Sequence, residues 1–432
     1  MKKYTLGLLL ICSFISSQLV AQNVNLSINK AETERIEKFL SSDELEGRKT
    51  YSKGIDKAAD FIANEFKQAG LSTFNNSGTY LQKFSRLNAK FVSVKGVFDE
   101  ATLEAKDIIV ISAQPNISIS ENSGYEVVKI NKEDNLVQAA RKFITANKNY
   151  LILVDESFAT TFPRLIQLKG GITAQQKTVV FILTNNRNPT KFNIEAEHKI
   201  EELFLSNVMA VIPGKSLPNE YVIFSGHYDH LGINSAKAIG TDSIFNGAND
   251  DAAGTTAMIM LSKYFKKLNN NERTLIFVAF TAEEMGGFGA QYFSKQFDPI
   301  SVKAMFNLEM IGTESKWGRN SAYITGYEKS SMGEILQKNL VGSTFKFYPD
   351  PYTDQNLFYR SDNATLARLG VPAHTISTSK MDSEPNYHKA SDEFATLDMD
   401  NMTEIIKAIA LSSKTIVSGK DTPTRVDTSK LR

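Results

Sequence analysis

An α/β fold built on a mainly parallel sheet is predicted by three features of the chain's second half. Residues 222–224, 275–280, 304–308 and 371–376 are continuous apolar runs that do not alternate with polar residues. Such runs suit strands buried on both faces, as in parallel sheets. A helical pattern separates the first two: over 255–268, Met258, Ile259, Leu261, Tyr264, Phe265 and Leu268 are apolar at helical spacing. Acidic and histidine residues gather just past the ends of the runs. Open α/β sheets place their sites there, beyond the carboxyl ends of the strands. The predicted architecture is a three-layer α/β/α sandwich around a mainly parallel mixed sheet, with an inserted, mostly-β module.

Upstream, residues 31–40 and 55–69 read as amphipathic helices, the second stopped by Gly70. From 91 to 207 the texture changes to short strand-like pieces at 91–97, 107–112, 150–154 and 178–183, with a helix over 134–146. None of these pieces ends in candidate ligands. A last helix is predicted over 402–417. The expected organisation is a main domain of 22–90 and 206–420, an insert of 91–205 and a flexible tail of 421–432.

The N-terminus has the layout of a secretory signal peptide. Lys2 and Lys3 precede the apolar stretch 6–15, and Ala21 is the expected last residue removed. The apolar core is shorter than the ~20 residues of a spanning helix. The chain is therefore expected to be exported, periplasmic or secreted, with no membrane insertion after cleavage. Cys12 is the only cysteine and follows Ile11, which is not the small residue that precedes a lipidated cysteine. The mature chain then has no thiol, and any metal site must use histidine and carboxylates. With 49 basic and 48 acidic residues and no long run of like charge, neither nucleic acid nor an anionic membrane is an expected partner.

The candidate site is a constellation. His227 leaves a strand end at Gly226, and Asp229 is placed to hold the ring's other nitrogen. His-x-Asp alone equally describes a loop histidine with a solvated neighbour. Asp250 and Asp251 lie in a Gly-bounded turn. Asp251 suits a helix cap, and Asp250 suits a carboxylate bridging two cations. Thr281-x-x-Glu284 matches a helix capping box, but Gly286 and Gly287 follow at once and are poor first-turn residues. The alternative gives Glu284 to a metal and makes Glu283 the general base. Glu309 closes a buried run, where a carboxylate needs a cation or a strong partner. His388 precedes Asp392 by four residues, an acid placed to orient it. His198, His230 and His374 read as structural or exposed. Oxygen ligands plus imidazole suit Zn²⁺ best, with Co²⁺ or Mn²⁺ as alternatives.

These residues, with Glu46-Gly47-Arg48, residues 207–214, Ser225-Gly226-His227-Tyr228-Asp229-His230-Leu231-Gly232, Gly247–Gly254, Phe280–Glu284 and Tyr387–Asp392, resemble the M28 family of co-catalytic zinc peptidases, mostly aminopeptidases. The resemblance implies two Zn²⁺ per chain on the zinc-peptidase-like fold. One would be held by His227 and Glu309, the other by Glu284 and His388, with Asp250 between them. It implies Glu283 as base, Tyr387 as a donor to developing negative charge, supporting roles for Asp229, Asp251 and Asp392, and a cis peptide between Asp250 and Asp251. Implied substrates are peptides with a free N-terminus. Two positions depart from the pattern: Glu309 stands where Asp is commoner, and Ala253 where Ser is. The insert occupies the place where some relatives carry a protease-associated domain, which 150–186 resembles only weakly. Rival readings are a carboxypeptidase or glutaminyl cyclase on the same fold, and a non-catalytic binding protein that keeps the fold.

Overall fold

The computed structural model describes residues 24–431. The predicted signal peptide, 1–21, lies outside the described residues. Among those residues, no helix is long and apolar enough to cross a membrane. The described residues form two compact units, one of 24–83 with 205–431 and one of 84–204.

The first unit is organised by a mixed sheet. Its strand order is Lys346–Pro349, Ser321–Ile324, Ala373–Ser377, Val302–Leu308, Leu217–His227, Arg273–Phe280 and the end of Phe192–Ile212. The four strands from Ala373–Ser377 to Arg273–Phe280 run parallel. Ser321–Ile324 runs antiparallel to Ala373–Ser377, and Phe192–Ile212 antiparallel to Arg273–Phe280. The four parallel strands are the apolar runs read from sequence, extended at Leu217–His227 and begun two residues later at Ala373–Ser377.

Both sheet faces are covered, which is why the runs do not alternate. Val222, Phe224, Leu275, Phe277, Ala304 and Phe306 face one side. They pack there with Ile36, Leu40, Ile62, Phe66, Met258, Phe265, Ile405 and Ile409, which come from the helices Lys30–Leu40, Lys53–Gln68, Ala253–Leu268 and Met399–Ser412. Ile223, Ile276, Val278, Phe280 and Met305 face the other side, with Ala290, Phe293 and Leu366 from Phe288–Ser294 and Asn363–Ala367. The result is the predicted helix–sheet–helix layering.

The helices begin where their caps stand. Asn29 accepts from the Glu32 amide at 3.0 Å, and Ser52 accepts from that of Ile55 at 3.3 Å. The predicted helix over 402–417 is two helices, Met399–Ser412 and Lys414–Val417, with Asp398 capping the first. The stretch expected as a flexible tail is instead fastened. The Arg425 guanidinium donates to the carbonyls of Pro299, Val302 and Leu369, and Val426 is buried.

The second unit has its own four-stranded sheet, ordered Ile108–Ile111, Val179–Leu183, Tyr150–Val154 and Glu126–Ile130. Both of its faces are also buried. Ile109, Ile152 and Phe181 pack on one side with Leu136 and Ala140 of the helix Leu136–Thr145. Val110, Leu151 and Val180 pack on the other with Ile117 and Ile194.

Candidate metal centre

Five chain segments, the fifth carrying His388, bring carboxylates and imidazoles together past the carboxyl ends of the parallel strands. Leu217–His227 ends in His227 itself. The His227 amide donates to Asp251 Oδ2 at 3.0 Å, and its carbonyl accepts from Thr255 Oγ1 at 2.7 Å. Arg273–Phe280 leads into a tight turn in which Ala282 takes a positive φ of 56°. Val302–Leu308 delivers Glu309, whose amide donates to the Ile376 carbonyl at 3.1 Å. Asp250 sits in the distorted segment Ala248–Ala252, and the Asp250–Asp251 peptide is cis.

Asp250 is the hinge of the arrangement. Its Oδ1 lies 3.2 Å from His227 Nε2, which is 3.3 Å from Glu309 Oε1. Its Oδ2 lies 3.2 Å from His388 Nε2, which is 3.2 Å from Glu284 Oε1. One carboxylate therefore presents a separate oxygen to each of two histidine–carboxylate groups. Zinc–ligand bonds of ~2.0–2.2 Å meeting at a tetrahedral angle put ligand atoms roughly 3.3–3.6 Å apart. The spacings here are close to that. Asp250 Oδ2 and Glu284 Oε1 are also buried without a hydrogen-bond partner among the described residues. Buried carboxylate oxygens of this kind are costly unless a cation or proton meets them. The donor set therefore fits a pair of divalent cations.

The electrostatics follow from crowding. Burial pulls the His388 imidazole down, but the Asp250 and Glu284 carboxylates outweigh it and push it up to about 10. Burial likewise opposes the charged form of His227, while Glu309 and Asp250 hold it well above its ordinary value. Burial, with Glu309, Asp362 and Glu284 adding negative charge, lifts Glu283 well above the usual carboxylate range. Burial and then the nearby Asp250 and Glu284 charges raise the Tyr387 phenol. Tyr387 stacks on the His388 ring with centroids 3.9 Å apart. A cavity of about 50 Å³ adjoins Glu309 and Tyr387, lined also by Met310, Tyr323, Leu357, Arg360 and Met381.

Two expected supports act differently. The Asp229 carboxylate was expected on the His227 ring, but its nearest oxygen is 3.8 Å from Nδ1. The Asp229 backbone carbonyl faces Nδ1 instead, at 3.1 Å. The carboxylate accepts from the amides of Glu283 and Glu284 at 3.0 and 3.3 Å and from Thr50 Oγ1 at 3.2 Å. Asp392 was expected to orient His388, yet it accepts from the amides of Asn249 and Asp250 at 2.9 and 3.0 Å. Both acids brace the backbone that carries candidate ligands. Asp251 joins both roles weighed for it. It caps the following helix through the Gly254 amide at 3.0 Å and ties it to the amides of His227 and Met310. The Thr281–Glu284 capping box does not form, because the next helix begins only at Phe288 after a left-handed Gly287.

Other contributors went unseen in sequence. The Arg48 guanidinium is buried among backbone carbonyls, donating to Tyr228 at 3.0 Å, to Gly247 at 2.9 Å, and to Leu40 and Asn246. It thereby fixes the start of the Asp250 turn. Ser361 Oγ donates to Glu309 Oε2, and Asn307 Nδ2 donates to Ser361 Oγ at 2.7 Å. His230, set aside as structural or exposed, is buried with its Nδ1 2.9 Å from Glu284 Oε1. The only sequence signal was its position three residues after His227. His374, by contrast, is a satisfied core histidine between Ser330 Oγ and the Thr325 carbonyl.

Comparison with known proteins adds relatives to this geometry. A probable zinc metalloprotease of Pyrenophora teres f. teres (strain 0-1) is 32% identical over 124 residues, 28% of this chain. That alignment spans only 26% of the relative's own length. A probable leucine aminopeptidase of Trichophyton verrucosum (strain HKI 0517) is 29% identical over 213 residues, 47% of this chain and 54% of the relative. Among solved structures, an aminopeptidase from Aneurinibacillus sp. strain AM-1 superposes with a TM-score of 0.54 at 17% identity, over 95% of this chain and 98% of that one. The zinc aminopeptidase BSAP from Bacillus subtilis gives 0.54 at 14% identity, over 91% of this chain and 97% of that one. These two likenesses show the shared fold. The model of peptidase family M28 matches residues 207–412, the segment that carries His227, Asp250, Glu283, Glu284, Glu309 and His388. Through this segment the chain is similar to peptidase family M28.

Proposed function

We propose that the chain is an exported zinc-dependent aminopeptidase that removes N-terminal residues from peptides at a two-zinc site. One observation carries the reading: Asp250 offers Oδ1 to the His227–Glu309 group and Oδ2 to the His388–Glu284 group. The match of residues 207–412 to peptidase family M28 and the aminopeptidase names of similar proteins support it.

His227, Glu309 and Asp250 would hold one zinc, and Asp250, Glu284 and His388 the other. Bound there, a zinc pair supplies Lewis acidity toward a peptide carbonyl and lowers the pKa of water. Glu283 takes the proton of the attacking water and passes it to the leaving amine. Its buried setting among acidic neighbours raises its proton affinity, and the charge of a bound zinc pair would return it to the ionised form in which it can accept a proton. Tyr387, stacked on His388, is placed to donate to the oxygen on which negative charge develops. Asp229 and Asp392 fix the backbone under Glu283, Glu284 and Asp250. The cavity beside Glu309 and Tyr387, lined in part by Met310, Leu357 and Met381, would receive the substrate's N-terminal side chain. Export rests on the N-terminal Lys2-Lys3 and apolar pattern.

The test is hydrolysis of a panel of aminoacyl p-nitroanilides beside an N-acetylated control, before and after chelation and zinc restoration. Cleavage of free-amine substrates alone, lost with chelation and regained with zinc, is the expected result. Zinc binding with no cleavage of any member would sink the aminopeptidase reading and favour a carboxypeptidase or a cyclase.

A further inference from the structure

Among the described residues, both ring nitrogens of His230 are buried without a hydrogen-bond partner. Leaving a buried polar group unpaired costs on the order of 1–3 kcal/mol, so native structures rarely do it. The ring is also deliberately seated. The His230 amide donates to the Arg48 carbonyl at 3.1 Å. Gly247 opposes the ring with a positive φ of 58°, and a Cβ there would lie 2.6 Å from the imidazole. Only glycine leaves the ring this place.

The ring reaches the metal donors. Its Nδ1 lies 2.9 Å from Glu284 Oε1 and 4.0 Å from Asp250 Oδ2. The first approach lacks the angles of a hydrogen bond and the second is too long for one, so both oxygens and Nδ1 stay unpartnered. His388 Nε2 addresses the same two oxygens at 3.2 Å. The two imidazoles come from different directions, with centroids 5.8 Å apart and planes inclined by 70°. Nitrogen and oxygen atoms gathered this way, close but not hydrogen-bonded, are what a shared cation produces.

Resting on the two-zinc reading above, we infer that His230 is a third imidazole ligand, binding through Nδ1 the zinc held by Asp250, Glu284 and His388. The 2.9 Å separation from Glu284 matches ligands meeting near a right angle, which places them roughly 2.8–3.1 Å apart at zinc bond lengths. That cation is then more than four-coordinate once a water or substrate oxygen joins it. The two zincs are held unequally, the second by two imidazoles and two carboxylates, the first by one imidazole and two carboxylates. The second fills first and leaves last.

The chain has five histidines, so long-range ¹H–¹⁵N NMR of the histidine-labelled, zinc-loaded protein can assign each ring. Three imidazoles with zinc-bound nitrogens are expected, His230 among them. In parallel, His230→Ala is titrated with zinc against a competing chelator, with circular dichroism to check the fold. It should lose affinity for one zinc by about ten-fold or more and keep the other unchanged. Two zinc-bound imidazoles in the wild-type protein, or both zinc affinities unchanged in the variant, would overturn the assignment while leaving the two-zinc reading intact. A wild-type chain that takes up no zinc would overturn both. If the variant does not fold, the wild-type spectrum decides alone.

Discussion

Asp392 holds Asp250 by its backbone: the Asp392 Oδ2 atom accepts from the Asp250 amide at 3.0 Å, leaving the Asp250 carboxylate wholly to the two imidazole groups. Its Oδ1 does the same for the Asn249 amide at 2.9 Å. Asp392→Asn keeps the shape but turns one acceptor into a donor facing an N–H. Zinc affinity should fall about 10–100-fold, the range for partners that orient ligands. Competitive chelator titration measures this. An unchanged affinity would mean the turn holds itself without Asp392.

Glu283 and Glu284 are neighbours in sequence with different tasks, and paired variants separate them. Glu283→Gln should lower kcat by about 10²–10⁴-fold, the contribution of a general base, with zinc content unchanged. Glu284→Gln should lose zinc. Equal zinc loss in both variants would remove Glu283 from the role of base.

Arg48 sits in a cage of carbonyls that lysine cannot replace, because an ammonium lacks the planar fork that reaches several acceptors at once. Arg48→Lys leaves buried carbonyls unpaired. The expected loss is about 2 kcal/mol or more in urea unfolding of the metal-free chain. Zinc affinity should weaken with it, since the Asn246 and Gly247 carbonyls lead directly into the Asp250 turn.

Glu37 gives a pH signature away from the metal groups. It is fully buried, accepts from Thr256 Oγ1 at 2.7 Å, and burial raises it to about 8 from an ordinary 4.5. Its folded pKa is above its unfolded one, so the unfolded chain binds fewer protons between these values. Stability from this group is full below about 4.5 and is lost as pH rises toward about 8. The slope is at most ~1.4 kcal/mol per pH unit. Glu37→Gln keeps an acceptor for Thr256 and removes the titration. Urea midpoints of the wild type should fall relative to the variant between pH 5 and pH 8. Parallel midpoints across that range would show that Glu37 does not change protonation on folding.

What the sequence made visible follows from burial. Four central strands lie between two helix layers, so each is a continuous apolar run, and His227, Glu283, Glu284 and Glu309 stand at or just beyond the end of one. The flanking strands Ser321–Ile324 and Lys346–Pro349 are short and carry polar residues, and they were not anticipated. Asp229 and Asp392 lie beside the candidate donors but accept from backbone amides and not from the imidazole rings expected for them. Spacing alone does not say whether a loop carboxylate turns toward a ring or toward an amide; the backbone angles of Ala282 and His388, both at positive φ, decide it. Ser361 reaches Glu309 across 52 residues from a loop with no motif. His230 was passed over because a single buried histidine is usually a packed one, as His374 is.

Arg48 and Thr50 belong to the opening stretch of the chain, yet they grip Tyr228, Gly247 and Asp229 about 180–200 positions later. The stretch 207–412 bears the chemistry but not the clamp that shapes it. Cut out as an independent protein, it would keep every candidate zinc donor and lose the geometry that aligns them. The long excursion through residues 84–204 is therefore spliced into a working centre whose two pieces must find each other before either is useful. Contacts separated by about 180–200 residues close slowly, so the clamp is expected to form late as the first unit folds.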